Sequence, residues 1–313
     1  MRLDGIHHVT AVTADAQRNL DFYVGTLGLR FVKRTVNFDA PDVYHLYFGD
    51  ERGSAGSVMT FFEFPDAQPG RVGNGTVHTV VWRVSSPAAL EFWSQRLGGA
   101  GVTAERISAD RLALRDPEGL GIELRASDAV DAPLVAAADD VPAEYALRGF
   151  DGVRAYAAER ERSRGLLEAL GFEHTGGETW QLLGPRRRAT FAQDAGAPGP
   201  GALGAGSVHH VAWTSGDGDL DAWRRVVGEA GGRATPVIDR QYFHSVYFRE
   251  PGGVLFELAT PSPGFAVDEP LEALGAELRL PPQHEPLRPT LERELRPLVD
   301  PRARSVGGSR DSG

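Results

Sequence analysis

The sequence predicts an α+β fold made of four βαβββ modules in two tandem pairs, with curved mixed sheets. Three observations lead to this prediction. A strand pattern that begins with glycine occurs four times, a helical stretch ending in glycine follows each occurrence, and a matching hairpin closes two of the four units. The length of 313 residues agrees, because it is about twice that of a usual single domain of roughly 150 residues.

The opening strands alternate apolar and polar residues with period two, as half-buried strands do. They read GIHHVTAVTAD at 5–15, GTVHTVVWRVSS at 75–86, GFDGVRAYAAE at 149–159 and GSVHHVAWTSGD at 206–217. The helical stretches follow at 16–29, 87–101, 162–172 and 220–232. A glycine near the end of each stretch suits a left-handed C-cap, so each unit is expected to turn from helix back into strand.

The closing hairpins are clearest in the second and fourth modules, where RDPEGLGIELR and REPGGVLFELA place proline and glycine at a tight turn. The third module is the least distinct. The modules are predicted at 3–64, 73–126, 147–193 and 204–260. We divide the chain into an N-terminal module pair at 1–140, a C-terminal module pair at 141–265, and a Pro-rich extension at 266–313 that wraps the surface and ends in a disordered tail.

Composition excludes several classes of protein and of site. The net charge of -10 argues against nucleic acid or a membrane surface as a partner, since both attract clustered positive charge. Cysteine is absent, so any metal must be held by His, Asp and Glu. There is neither an apolar signal core nor a run of about 18 apolar residues. We therefore expect a cytoplasmic protein, and a homo-oligomer is compatible with the sequence.

One position of the opening strands carries histidine in two of the four modules. His8 in module one and His210 in module four are equivalent, whereas modules two and three have Thr79 and Gly152 there. A single histidine in a buried strand is more often a hydrogen-bonded core residue than a metal ligand. Two histidines at equivalent positions of a repeat indicate instead that both contribute to one site.

The closing strands supply a carboxylate for the same site. Glu257 aligns with Glu123, while module one has Thr60 and module three has no clear acid. A glutamate inside an apolar strand is costly unless it is paired or bound to metal. Two imidazoles and one carboxylate leave three positions of an octahedral metal open, as in non-haem Fe(II) oxygenases, and the set also suits Mn(II). We predict His8, His210 and Glu257 as metal ligands in a cup formed by modules one and four, with a vestigial site in the other two modules.

At these residues the sequence resembles the vicinal oxygen chelate superfamily of glyoxalases, bleomycin resistance proteins and extradiol dioxygenases, and within it the ring-cleaving hydroquinone dioxygenases. The resemblance covers residues 3 to about 290 and is carried by IHHVT (6–10), DAQRNLDFYVGTLGLRFVKRTVNFD (15–39), YHLYFGDERGSAGSVMTFF (44–62), VHHVAW (208–213) and YFHSVYFREPGGVLFELAT (242–260). It implies a dioxygenase that inserts O2 into a hydroquinone- or catechol-like phenol. It also implies Fe(II), or Mn(II) in some members, held by the same three ligands, with a small aromatic substrate and O2 as partners.

The resemblance further implies five residues around the ligands: His7, Thr10, His209, Arg240 and Tyr247. We expect His209 or His7 to move a substrate proton, because the pKa of histidine lies near working pH. Tyr247 is expected to donate a hydrogen bond at the metal and Arg240 to orient the ring. Strict alternation places His7 and His209 on the face opposite the ligands unless the strand twists or bulges there.

The remaining aromatic and histidine residues of the strands are assigned less specifically. His45 and His244 could line the pocket, but a position on a strand surface is favoured for each. The aromatic residues are expected mainly in the sheet core, with some of them walling the pocket for the ring: Tyr44, Tyr47, Phe61, Phe62, Phe243 and Phe248.

Two other functions are compatible with this scaffold. A glyoxalase-type isomerase or lyase usually has four protein ligands, commonly including two carboxylates, and Thr60 at the fourth position counts against it. A non-catalytic protein that sequesters small molecules typically has one module pair and lacks metal ligands. The complete triad argues against this second alternative.

Overall fold

The structure is a computed structural model that describes residues 1–197 and 199–302. The predicted disordered tail, residues 302–313, lies outside the described residues except for its first position. Each of the four modules contributes one opening strand, one helix and three further strands, as the repeat predicts. The third module, which the sequence shows least distinctly, has the same elements as the others.

The elements of the four modules follow one another in the predicted order. Module one contains β1 (Ile6–Thr13), α1 (Ala16–Leu20) continued by a π-helical turn (Asp21–Thr26), β2 (Arg30–Asn37), β3 (Ala40–Gly49) and β4 (Val58–Glu63). Module two contains β5 (Val77–Val84), α2 (Pro87–Gly99), β6 (Ala104–Ser108), β7 (Arg111–Arg115) and β8 (Gly121–Ala126). Module three contains β9 (Phe150–Tyr156), a 3-10 turn (Arg160–Ser163), α3 (Arg164–Ala169), β10 (Phe172–Gly176), β11 (Thr179–Leu183) and β12 (Arg188–Asp194). Module four contains β13 (Val208–Thr214), α4 (Leu220–Glu229), β14 (Ile238–Asp239), β15 (Phe243–Arg249) and β16 (Leu255–Pro263).

The first eight-stranded sheet combines two modules that are far apart in the chain, and the second combines two modules that follow one another. Modules four and one form the sheet β14-β15-β16-β13-β1-β4-β3-β2, and modules three and two form the sheet β10-β11-β12-β9-β5-β8-β7-β6. At the centre of each sheet two opening strands pair antiparallel, β1 with β13 and β5 with β9. The predicted α+β fold of four modules is confirmed, whereas the division of the chain near residue 140 stays a prediction.

The helices bury apolar stripes against one side of the sheets. In α2 the residues Leu90, Trp93 and Leu97 recur at helical spacing and are buried. The hydroxyl of Ser86 accepts a hydrogen bond from the amide of Ala89 and caps this helix at its first turn. No helix in the described ranges is long and apolar enough to cross a bilayer. Because strands alternate, the other side of each sheet is free to form a cup.

A β-bulge interrupts every opening strand at the same position of the repeat. The pairing of β1 with β13 shifts at His7 and again at His209. The pairing of β5 with β9 shifts at His78 and at Asp151. An extra residue in one strand breaks the regular alternation of side chains. The residue that precedes the ligand position is therefore out of phase with its strand in all four modules.

The C-terminal extension packs against module one. It begins within the 3-10 turn Phe265–Val267 and contains the 3-10 turns Leu271–Ala273 and Pro282–Leu287 and the helix α5 (Arg288–Glu294). The buried ammonium of Lys33 on β2 lies 2.6 Å from Oδ1 of Asp268 and 2.5 Å from Oε2 of Glu269. The hydroxyl of Tyr44 donates to the carbonyl of Arg296. These contacts tie the extension to the two strands that form one wall of the first cup.

Candidate metal centre and cavity

Three buried donor atoms converge at the centre of the first sheet. Nε2 of His8 lies 3.2 Å from Nε2 of His210. Oε2 of Glu257 lies 3.2 Å from the first nitrogen and 2.9 Å from the second. Within the part of the chain that the structure describes, this oxygen has no hydrogen-bond partner although it is fully buried. A buried, unsatisfied carboxylate oxygen is costly, and a cation between the three atoms removes that cost.

The spacing of the three atoms suits a six-coordinate divalent ion. Metal–ligand bonds of about 2.1 Å at right angles put neighbouring donors about 3.0 Å apart, whereas tetrahedral angles put them about 3.4 Å apart. The observed separations of 2.9, 3.2 and 3.2 Å match one face of an octahedron. The residues present therefore fit a metal held by two histidines and one carboxylate, and the remaining positions of such an ion are open to other ligands.

Glu257 is held in place and kept ionised by its neighbours. It lies on β16, where it pairs with Ala212 of β13 on one side and Tyr247 of β15 on the other. The hydroxyl of Ser245 donates to Oε1, which leaves Oε2 directed at the two histidines. Burial opposes ionisation, but His8 and His210 hold the pKa of this carboxyl well below its usual value. The carboxylate form is the one that binds a metal.

The bulges bring two further histidines into contact with the ligands. Nδ1 of His7 lies 2.9 Å from Nδ1 of His8, and Nδ1 of His209 lies 2.7 Å from Nδ1 of His210. The strand bulges at both positions, which is the exception to strict alternation that the sequence left open, so His7 and His209 contact the ligands instead of facing away from them. Burial lowers the pKa of His7 to about 3 and that of His209 to about 4, so both imidazoles are neutral near pH 7.

A cavity of about 290 Å³ opens beside the three donor atoms. Thr10, Arg240, Tyr247 and His209 line it, whereas His7 does not and contacts His8 from behind. Aromatic rings form much of the wall: Phe38, Tyr47, Phe62, Phe64 and Phe243. The volume is at the small end of the range for ligand cavities, and it accommodates a single substituted ring.

Arg240 and Tyr247 act as a pair at the edge of this cavity. Nε of Arg240 donates to the hydroxyl of Tyr247 over 3.2 Å, and the same guanidinium lies 3.0 Å from a carboxylate oxygen of Asp39. Asp39 lies in the turn between β2 and β3, so the guanidinium joins module four to module one. Burial and the nearby carboxylate of Glu257 raise the pKa of Tyr247. Its hydroxyl therefore keeps its proton and, while accepting from Arg240, can donate to a ligand.

One residue of the cavity wall was assigned to the wrong environment from the sequence, and one supporting residue was missed. His45 was expected on a strand surface, and this is wrong: it is buried, with Nε2 2.9 Å from the hydroxyl of Thr60 and Nδ1 2.9 Å from the hydroxyl of Tyr47. His244 is exposed, as expected. Ser245 was also missed. The repeat carried a usable signal, because His45 and Ser245 each precede by two residues a tyrosine of equivalent position.

The second sheet does not reproduce the centre. Glu123 occupies the position equivalent to Glu257 and is buried, but its carboxylate lies 3.4 Å from the guanidinium of Arg111. His78 lies 2.9 Å from the carboxylate of Asp194. Among the described residues, the His8–His210–Glu257 group is the one that could hold a metal. Glu123, the acidic residue at this position of the second sheet, is thus paired with an arginine.

Comparison with known proteins identifies the family. A profile described as the Glyoxalase/Bleomycin resistance protein/Dioxygenase superfamily matches residues 5–124 and 161–258, which is more than half of the chain. The chain belongs to this superfamily. The matched segments contain both histidines and the glutamate of the candidate metal centre.

Individual relatives are similar over nearly the whole chain. A Bacillus subtilis protein named as a ring-cleaving dioxygenase, MhqO, is 41% identical over 308 residues, which cover 94% of this chain and 96% of the relative. The chlorohydroquinone/hydroquinone 1,2-dioxygenase of Sphingobium indicum is 35% identical, over 96% of this chain and 97% of that enzyme. A crystal structure described as a dioxygenase from Bacillus subtilis superposes with a TM-score of 0.88 at 37% identity, covering 95% and 98% of the two chains. The predicted family and the predicted ring-cleaving dioxygenase function are confirmed at this level.

Proposed function

We propose that the protein is a non-haem Fe(II) dioxygenase of the extradiol type that opens a hydroquinone- or catechol-like ring. The observation that carries the proposal is the face of three donor atoms from His8, His210 and Glu257 beside an aromatic-walled cavity of about 290 Å³. Mn(II) fits the same donors. The 1,4-dihydroxybenzene named in the Sphingobium relative favours hydroquinones among these substrates.

The three ligands prepare the site electrostatically for an ionised phenol. When bound, Fe(II) or Mn(II) supplies adjacent open positions for a phenolate and O2 and a route for electron density between them. Two neutral imidazoles and one carboxylate leave a divalent site with a net charge of about +1, which attracts a phenolate. His7 and His209 hold the ligand imidazoles from their Nδ1 side and fix the orientation of both rings.

The cavity wall orients the ring and keeps water away from it. Phe243 packs against His8 with ring centroids 5.0 Å apart, and Phe62 packs edge-on against His209 at 5.6 Å. A flat ring between these side chains is held by its faces and edges. Arg240 orients the ring from the side of Tyr247, and Thr10 offers a hydroxyl on the same strand face as His8.

His209 is the residue proposed to move the substrate proton. It lines the cavity, and its Nδ1 faces His210, so its Nε2 is on the side away from that ligand. Burial lowers the pKa of His209 to about 4, below the value near working pH expected from the sequence, so the imidazole is neutral and acts as a weaker base than a free histidine. In this form it accepts the proton of a phenol as the ring binds and returns it later in the cycle. Tyr247 donates a hydrogen bond to an oxygen atom of the substrate or of O2. The raised pKa of its hydroxyl keeps that proton in place between turnovers.

Oxygen uptake by protein loaded anaerobically with Fe(II) or Mn(II) tests the proposal. The panel contains hydroquinones with and without chlorine, and catechols. We expect uptake of one O2 per ring with a new ring-fission absorbance from the unaltered protein and from Glu123→Ala. We expect neither signal from Glu257→Ala. Glu123→Ala is the matched control, because it removes a buried glutamate from the equivalent register of the other sheet.

Two results would refute parts of the proposal. Tight metal binding with no oxygen uptake on any phenol would exclude ring cleavage and favour isomerase chemistry at the same centre. Uptake that survives Glu257→Ala would remove this glutamate from the ligand set.

A further inference from the structure

Four polar side chains of module one form a continuous hydrogen-bond chain beside the cavity. The hydroxyl of Tyr47 lies 2.9 Å from Nδ1 of His45, and Nε2 of His45 lies 2.9 Å from the hydroxyl of Thr60. That hydroxyl lies 2.8 Å from the hydroxyl of Thr10. All four residues are buried, and Tyr47, His45 and Thr10 line the cavity. The proposed metal centre and proton transfer make no use of His45.

This chain occupies, in module one, the place that the metal-ligating carboxylate occupies in module four. Tyr47 pairs with Thr60 across β3 and β4, as Tyr247 pairs with Glu257 across β15 and β16. Two residues before the tyrosine, module four has Ser245, which donates to the carboxylate, whereas module one has His45. The larger imidazole spans the distance to the smaller threonine, so module one keeps a hydrogen bond between the two strands without a charge.

A neutral imidazole gives this chain a direction. Burial lowers the pKa of His45 well below its usual value, so one ring nitrogen donates and the other accepts. With the proton on Nε2, Thr60 donates to Thr10, whose own proton is free for the cavity, and Tyr47 donates to Nδ1. With the proton on Nδ1 every bond reverses, and Tyr47 has the free proton. In either state one end of the chain donates into the cavity and the other end accepts.

We propose that His45 is a positioning residue that fixes the direction of this chain, and that the free end of the chain binds a ring hydroxyl lying away from the metal. The ligand class selected is a dihydroxybenzene whose second hydroxyl does not reach the metal. A ring with a single hydroxyl leaves the free end of the chain without a partner. This inference rests on the proposed function, because it requires an aromatic ring in the cavity.

Anaerobic binding of hydroquinone and of phenol to the Fe(II)-loaded protein tests the inference, since the two ligands differ only in the second hydroxyl. His45→Phe keeps a flat ring without nitrogens, and Tyr47→Phe removes one end of the chain while leaving His45 in place. We expect His45→Phe to weaken hydroquinone binding about 10- to 100-fold and to leave phenol binding within about threefold, because the hydrogen bond from the oriented free end of the chain is lost. Tyr47→Phe shows the same loss where Tyr47 is the free end and keeps hydroquinone binding where Thr10 is, so it identifies the end that meets the ring. His45→Gln, whose amide keeps a donor and an acceptor, recovers part of the loss.

The exposed histidine of β15 provides a matched control. His244→Gln is expected to bind both rings as the unaltered protein does, and iron content is measured for every variant. Equal losses for hydroquinone and phenol in His45→Phe, or unchanged hydroquinone binding in that variant, would overturn the role of His45 while leaving ring cleavage intact. Failure of the unaltered protein to bind or turn over either ring would overturn the proposed function and this inference together.

Discussion

Replacing Ser245 with alanine tests how far the metal centre depends on a hydroxyl that does not face the metal. The hydroxyl donates to Oε1 of Glu257, and both side chains are fully buried. A hydrogen bond to a buried charged group contributes about 1.5–3 kcal/mol, which corresponds to about 10- to 150-fold in an equilibrium constant. Without it the carboxylate is free to rotate away from the two histidines. We therefore expect Ser245→Ala to weaken metal binding by about 10- to 100-fold, the usual effect of removing a partner of a ligand.

The measurement is competition for Fe(II) or Mn(II) against a chelator of known affinity, under nitrogen. Ser163→Ala is the matched control, because the hydroxyl of Ser163 donates to Oε2 of Glu250 over 2.6 Å and both residues are buried. This pair joins the 3-10 turn of module three to Glu250 in the turn between β15 and β16, and it supplies no atom to the metal centre. We expect the control to lose stability in urea while its metal affinity stays unchanged. A metal affinity of Ser245→Ala within about twofold of the unaltered protein, or an equal loss in the control, would refute the reasoning.

Two further predictions concern stability. Lys33→Met removes the ammonium that Asp268 and Glu269 share. It is expected to cost about 3 kcal/mol in urea unfolding, the lower end of the usual range for a broken buried ion pair, because Arg279 stays 3.5 Å from Glu269; a loss below about 1 kcal/mol would contradict the structure. In metal-free protein, the pKa values of His7 and His209 are lowered from the ordinary value of 6.5 to about 3 and about 4. The contribution of each residue to the free energy of unfolding is therefore complete above pH 6.5 and is lost as the pH falls towards 4. The expected slope is about 1.4 kcal/mol per pH unit for each group, and His209→Asn should show a shallower decline of unfolding free energy between neutral and acidic pH; superimposable profiles would count against the shifted pKa values.

Much of the fold and the donor set could be predicted because both repeat. Because the unit occurs four times, the residues at one strand position can be compared between the modules of a single sequence. This comparison identified His8, His210 and Glu257 as one set. Period-two alternation identified the opening strands for the same reason. The pairing of module one with module four followed from the two histidines, since no other pair of modules has both.

The side chains around the ligands could not be placed in this way. A bulge is a mismatch between two strands, so the position of His209 depends on a partner about two hundred residues away and is not written in the alternation of its own strand. His45 lies in a segment of ordinary strand character, and its burial depends on Thr60 across the sheet. The pairing of Lys33 with Asp268 depends on where the C-terminal extension crosses β2. Each of these contacts depends on a partner outside the residue's own strand, so the apolar–polar pattern of that strand does not show it.

The pairing of the first module with the last affects how the protein is made. His8 and His210 are 202 positions apart, so at roughly 5–20 residues per second a ribosome takes roughly ten to forty seconds to produce the second histidine after the first. Throughout that interval the edge of β1 that will pair with β13 is exposed, and β5, which has a similar pattern, emerges as a wrong partner. Glu257 is synthesised later still. A nascent chain therefore has no complete set of metal ligands until Glu257 has been made, so a metal can be bound by all three residues only after the synthesis of module four.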